Sequence, residues 1–227
     1  MEFEEAKNKY LNMNLEEKRS GYFCKTNFVT LENIPTWVEY SAKVKKKKLT
    51  SAYKKDERLN KKVSIFVGDI TVLEIDVIVN AADPIFLGCG GVNGAIHEAA
   101  GKFLRAECVK LNGFPPGEAK ITGGYKLPSK YVIHTAGPIR EKPDILTNCY
   151  FNSLNLAQEN GLKTIAFPCI STGLFEYPNQ YAAEVALKTV REYLEKNEAS
   201  MDRVIFCLFL SEDVAIYESL MQRYFPI

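Results

Sequence analysis

From Val63 onward the apolar residues come in short runs separated by turn signals. "VSIFV" (63–67), "DVIVN" (76–80), "AKITGGY" (119–125), "YVIHTA" (131–136), "TIAFPCI" (164–170) and "RVIFCLF" (203–209) are β-branched or aromatic and read as strands. Longer stretches between several of them, about 92–109, 145–160, 179–197 and 213–224, carry helical spacing. In the third, Ala182, Ala183, Ala186, Leu187, Val190 and Leu194 recur every three or four residues, with Glu184, Lys188, Arg191 and Glu195 on the other face. Strands alternating with helices predict an α/β layered fold whose sheet is mostly parallel. Near-continuous apolar runs such as "VIFCLF" predict a sheet covered on both faces.

The pattern before residue 61 is different, which divides the chain into 1–60 and 61–227. Two short Glu- and Lys-rich helical patterns, around 3–12 and 14–20, are followed by a turn and by "IPTWVEY", where Pro35 suits a helix start. The run "KVKKKKLTSAYKKDERLNKK" then reads as a solvated, mobile basic linker, since its balancing acids lie close by.

Composition narrows the class. The chain has 227 residues, 46% hydrophobic and 25% charged, enough to bury a sizeable core without staples. A net charge of +1 gives no global field for nucleic acid or membrane, so an anionic ligand must be held by local geometry. Six cysteines without CxxC spacing and an N-terminus without an apolar signal core point to a reducing compartment, cytoplasmic or nuclear. No apolar run approaches the roughly 20 residues of a membrane span. Nothing in the pattern demands more than a monomer.

In open α/β sheets ligands bind at the carboxyl ends of the strands. Four loops fall there: Gly68-Asp69-Ile70, the long loop from Asn80 through Asp83 to Asn93, Gly137-Pro138-Ile139, and Ser171-Thr172-Gly173-Leu174-Phe175. The second holds four glycines between Gly88 and Gly94. It is not a dinucleotide fingerprint, because Asn93 stands where the third glycine belongs, and no Gly-Lys-Ser/Thr makes it a Walker A loop. What remains is a row of backbone N–H groups at a helix start, which suits a phosphate. The "STG" loop offers a second cradle, and two cradles on one rim suit a diphosphate.

Single residues on this rim have competing readings. Asp69 is either the N-cap of a short helix or a carboxylate that accepts from an adenine amino group. His97 and His134, the two histidines, carry no metal-ligand spacing and read as hydrogen-bonded structural residues. Ser171 lacks the G-x-S-x-G elbow of a serine nucleophile. Cys89 and Cys169 lack the base a cysteine nucleophile needs.

Taken together, "GDITVLEIDVIVNAADPIFLGCGGVNGAIHEAAG", "YVIHTAGPI" and "AFPCISTGLFEYP" resemble the motifs of MacroD-type macrodomains over residues from about 60 to 227. The segment "LNMNLEEKRSGY" is similar to the arm that precedes that domain. The resemblance implies a three-layer α/β/α macrodomain with a mixed, mostly parallel central sheet and an N-terminal helical arm. It implies binding of ADP-ribose and hydrolysis of mono-ADP-ribose from acidic side chains of modified proteins, extending to deacetylation of O-acetyl-ADP-ribose, with neither cofactor nor metal. A binding module without turnover is the alternative. Asp69 and the Ile70 backbone would hold the adenine amino group, and Phe209 would pack on the ring. Gly88, Cys89, Gly90, Gly91 and Val92, with Ser171, Thr172, Gly173, Leu174 and Phe175, would cradle the diphosphate. Asn80 and Asp83 would position the distal ribose, Phe175 would cover it, and residue 93 would orient the attacking water.

Four positions depart from the family pattern. Asp83 replaces the second asparagine of "NAAN", Asn93 the aspartate of "GVDG", Cys89 a loop glycine, and Glu176 the glycine after the aromatic. An amide cannot serve as general base, so Asn93 transfers the question to Asp83, either as a base acting from the other side or as a binder of ribose hydroxyls. Glu176 brings a further carboxylate that either assists at the distal end or repels the diphosphate.

Overall fold

The computed structural model describes residues 2–47, 50–83 and 90–227. The chain runs α1 (Phe3–Asn12), α2 (Leu15–Ser20), β1 (Val29–Thr30), α3 (Trp37–Tyr40), α4 (Glu57–Asn60), β2 (Val63–Val67), β3 (Leu73–Glu74) and β4 (Val77–Ala81). It continues through α5 (Gly91–Ala100), α6 (Lys102–Lys110), β5 (Ala119–Gly123), β6 (Tyr131–Thr135), α7 (Pro143–Glu159), β7 (Thr164–Phe167), α8 (Asn179–Lys196), β8 (Arg203–Leu208) and α9 (Ser211–Tyr224).

Among the described residues, one sheet of six strands has the order β2-β8-β7-β4-β6-β5. Every pair is parallel except the edge pair β5–β6. Alternation along the strands makes the layers. Val204, Phe206 and Leu208 of β8 join a core with α7, α8 and α9, whereas Ile205 and Cys207 join a second core with α5 and α6. Both faces are therefore covered, in the α/β/α arrangement the apolar runs predict.

The structure departs from the sequence reading in three places. The single helix expected over 92–109 is two, because Gly101 at φ +81° ends α5 and begins α6. The run 164–170 stops pairing at Phe167, just before Pro168, which has no N–H to give the ladder. The two-residue strands β1 and β3, which pair in parallel, are too short for any periodicity to reveal.

The first 60 residues are bound to the layers by specific contacts. Arg19 of α2 forms a two-pronged bridge to Glu74, Nε to Oε2 at 2.8 Å and Nη2 to Oε1 at 2.6 Å. The Tyr22 hydroxyl donates to the same carboxylate at 2.9 Å. Lys7 of α1 reaches the buried Glu107 at 2.6 Å, whose other oxygen accepts from Gly123 N and the Tyr125 hydroxyl. The helix expected at Pro35 begins after Thr36, which forms a capping box with Glu39. Its Trp37 is fully buried and donates Nε1–H to the Phe225 carbonyl at 2.8 Å. In the basic run Lys45, Lys46 and Lys47 are exposed, as a solvated segment requires. The backbone is nevertheless anchored: Lys47 N donates to Gln222 Oε1, and the Lys54 carbonyl accepts from the buried Arg191. Lys48 and Leu49 lie outside the described residues; on either side of them the run is a strap rather than a free connector.

Candidate functional site

Because β2, β8, β7, β4 and β6 are parallel, their carboxyl ends open on one edge, where the described parts of the four loops singled out in the sequence begin. Asp69 Oδ1 accepts from Thr71 N and Thr71 Oγ1, both at 2.8 Å, so its N-cap reading is correct. The residue is exposed on the rim and Ile70 is buried behind it. Val67 and Leu208 are register partners, which puts Phe209 beside the Gly68 turn. Phe209 is 78% exposed.

Gly88 and Cys89 lie outside the described residues. Gly90 and Gly91 have φ +72° and +53°, a left-handed pair that leads into the N-terminus of α5, and Val92 is half-buried in its first turn. On the other side, Gly137 leaves no room for a Cβ, which would strike Ser171 Oγ. Ser171 is itself left-handed at φ +67°, and its buried hydroxyl has no partner among the described residues. Thr172 donates to the Cys169 carbonyl, Gly173 and Leu174 are exposed, and half-buried Phe175 accepts from Arg140 N at 2.7 Å. Burial first, then Asp213, pushes the Cys169 thiol well up, which keeps it protonated and inert.

Glu176 is exposed on this loop and has φ +54°. The backbone is bent by Glu176 N donating to the Gly173 carbonyl and Tyr177 N to that of Ser171. A side chain in that region costs about 1–2 kcal/mol. Glu176→Gly is expected to stabilise the fold by about 1 kcal/mol, raising the melting temperature by about 2–4 °C. A melting temperature that falls would show that the carboxylate holds the loop.

The centre of the rim is a continuous polar chain. Asn80, the penultimate residue of β4, is fully buried, and its Nδ2 donates to Asn93 Oδ1 at 2.8 Å and contacts His134 Nδ1 at 3.1 Å. Asn93, also buried, donates Nδ2–H to Asp83 Oδ2 at 3.0 Å. Asp83 is half-buried. The two departures from the family pattern are thus hydrogen-bonded to each other, amide to carboxylate. Asn80 Oδ1 is buried with no partner among the described residues.

His134 is hydrogen-bonded, as expected, with Nε2 at 2.8 Å from Thr122 Oγ1. The buried Nε2 of His97 has no partner among the described residues. Sequence reasoning also missed that α5, α6 and β6 bring one donor atom each of His97, Cys108 and His134 within 4.8 Å. Burial, then His97, lowers His134 to about 3, and burial, then Glu107, pushes the Cys108 thiol up to about 12. A protonated thiol and an imidazole nitrogen facing Thr122 pack there as neutral groups.

A cleft of about 470 Å³ lies at the opposite edge, beneath the arm, lined by Tyr10, Tyr22, Lys18, Glu74 and Lys130 among others. Its carboxylates, Glu74 and Asp76, are paired with Arg19 and Lys130.

Comparison with known proteins agrees with this geometry. The family model described as "Macro domain" matches residues 79–186. ADP-ribose glycohydrolase MACROD1 of Mus musculus is 47% identical across 100% of this chain and 72% of its own length. ADP-ribose glycohydrolase MACROD2 of Homo sapiens is 48% identical over 98% of this chain and 54% of its own. The Trypanosoma brucei macrodomain in complex with ADP-ribose superposes with a TM-score of 0.80 at 36% identity, covering 95% of this chain and 86% of that one.

Proposed function

The chain belongs to the macro domain family, and from that premise we propose that it binds ADP-ribose and hydrolyses mono-ADP-ribose from acidic side chains of modified proteins. The observation that carries the reading is the Asn80–Asn93–Asp83 chain, which ends in a carboxylate. Asn93 is locked by polarity: its carbonyl faces Asn80 and its amino group faces Asp83, so it orients without exchanging protons. Asp83, held by that amino group, takes a proton from water. The hydroxide adds to the anomeric carbon of the distal ribose as the bond to the side-chain carboxylate breaks. Free ADP-ribose and the restored acidic side chain leave, and Asp83 returns the proton to solvent.

Binding falls to the remaining rim. Exposed Phe209 and Asp69 suit the adenine ring and its amino group, and the loops at Gly90–Val92 and Ser171–Phe175 suit the diphosphate through backbone N–H groups. One part of the site favours a second reading, a binding module without turnover, because the residue at 93 is an amide.

A mono-ADP-ribosylated protein, incubated with this chain, tests the proposal by the appearance of free ADP-ribose. Release at a rate proportional to protein concentration is expected. No release alongside calorimetric binding of ADP-ribose would establish the binding module, and no binding would overturn both readings.

A further inference from the structure

We infer that His134 is a positioning residue, whose bare Nδ1 fixes the way the Asn80 amide faces and, through Asn93, the orientation of Asp83. The inference rests on the function proposed above.

Its basis is the register of the sheet. Asn80 and His134 are direct partners on the parallel strands β4 and β6, and both lie on the face covered by α5 and α6. The imidazole is fully buried. A chain of hydrogen bonds runs through it from the core to the rim, and only one orientation gives every link a donor and an acceptor. At the rim the Asp83 carboxylate is an acceptor, so Asn93 must turn its amino group outward and its carbonyl inward. That carbonyl requires an N–H from Asn80, whose second N–H then points at His134 Nδ1 at 3.1 Å. Nδ1 must therefore be bare and the imidazole proton must sit on Nε2. There Thr122 Oγ1 accepts it at 2.8 Å and passes its own proton to the Gly123 carbonyl at 3.3 Å.

The opposite tautomer would undo the site. A protonated Nδ1 would call for the Asn80 carbonyl, which would turn the Asn93 amino group inward and set its carbonyl against the Asp83 carboxylate. Two acceptors would then face each other. The observed tautomer also decides what is offered to a ligand. With both N–H groups of Asn80 committed, Oδ1 remains a buried acceptor without a partner among the described residues. Such an atom is costly until a donor arrives, and a ribose hydroxyl is a donor of the right kind. Burial, which lowers the imidazole to about 3, keeps the ring neutral at physiological pH.

Two measurements test the role. Long-range ¹H–¹⁵N spectra of histidine-labelled protein, without ligand, are expected to show His134 protonated on Nε2 and bare on Nδ1 from about pH 5 to 8. A protonated Nδ1 overturns the inference without touching the proposed hydrolysis, while a wild-type chain that releases no ADP-ribose overturns the hydrolysis. The second measurement compares His134→Leu with His134→Asn. Leucine keeps apolar bulk and removes the acceptor, so kcat is expected to fall about 10²-fold with a smaller change in KM, as misplaced reacting groups do. Asparagine can put Oδ1 where Nδ1 stood, and most of kcat should return. The reverse order, or equal losses in two variants with matching melting curves, would assign His134 to packing alone.

Discussion

Asp83→Asn is expected to lower ADP-ribose release by about 10²–10⁴-fold while leaving the affinity for free ADP-ribose within a few-fold. The separation follows from what asparagine keeps. Its Oδ1 still accepts from Asn93 Nδ2, at 3.0 Å in the native pair, so the Asn80–Asn93 link and the ribose end of the site hold their shape. What is lost is the group able to carry a proton. Single-turnover release from a mono-ADP-ribosylated substrate, with calorimetric binding in parallel, measures both quantities. A rate that does not change would remove Asp83 from the chemistry. The double exchange Asp83→Asn with Asn93→Asp restores one carboxylate and one amide to the pair, so it should release faster than Asp83→Asn alone. A double variant as slow as the single one would show that a carboxylate at 93 cannot reach the water in this fold.

The second large effect is on stability. Trp37→Ala is expected to cost about 3–5 kcal/mol, the range for truncating a fully buried aromatic, read from the shift in the urea midpoint. Trp37 has no exposed surface, lies in the core beneath α8 and α9, stacks on Tyr40, and ties to the chain's last residues through Phe225. Trp37→Phe keeps most of the ring contact but strands the Phe225 carbonyl, which costs about 1–3 kcal/mol. A loss under 1 kcal/mol for Trp37→Ala would mean that the first 60 residues fold apart from the layers, contrary to the bridges at Arg19–Glu74 and Lys7–Glu107.

The two substitutions probe opposite kinds of legibility. Asp83 and Asn93 are visible as departures from a motif, because the glycines around them mark the loop. Trp37 sits in a segment that reads as an appendage: its apolar cluster, "IPTW", is too short to predict what it packs against. The basic run likewise shows its exposed lysines in sequence but not the anchors at Lys47 and Lys54, since backbone groups carry no sequence signal.

The sequence by itself determined the layered fold, because side-chain alternation is a local property: Val204 and Phe206 face one core and Ile205 the other whatever else the chain does. It determined the rim as well, since ligand loops follow parallel strands, and the backbone at Gly90 and Gly91, since left-handed φ favours glycine. Only the tertiary structure decided that Asn80 meets His134, 54 residues away, and that Asn93 meets Asp83. Those meetings depend on strand register and helix placement over long separations. No single segment encodes them, and they are what turn a carboxylate in a loop into an oriented one.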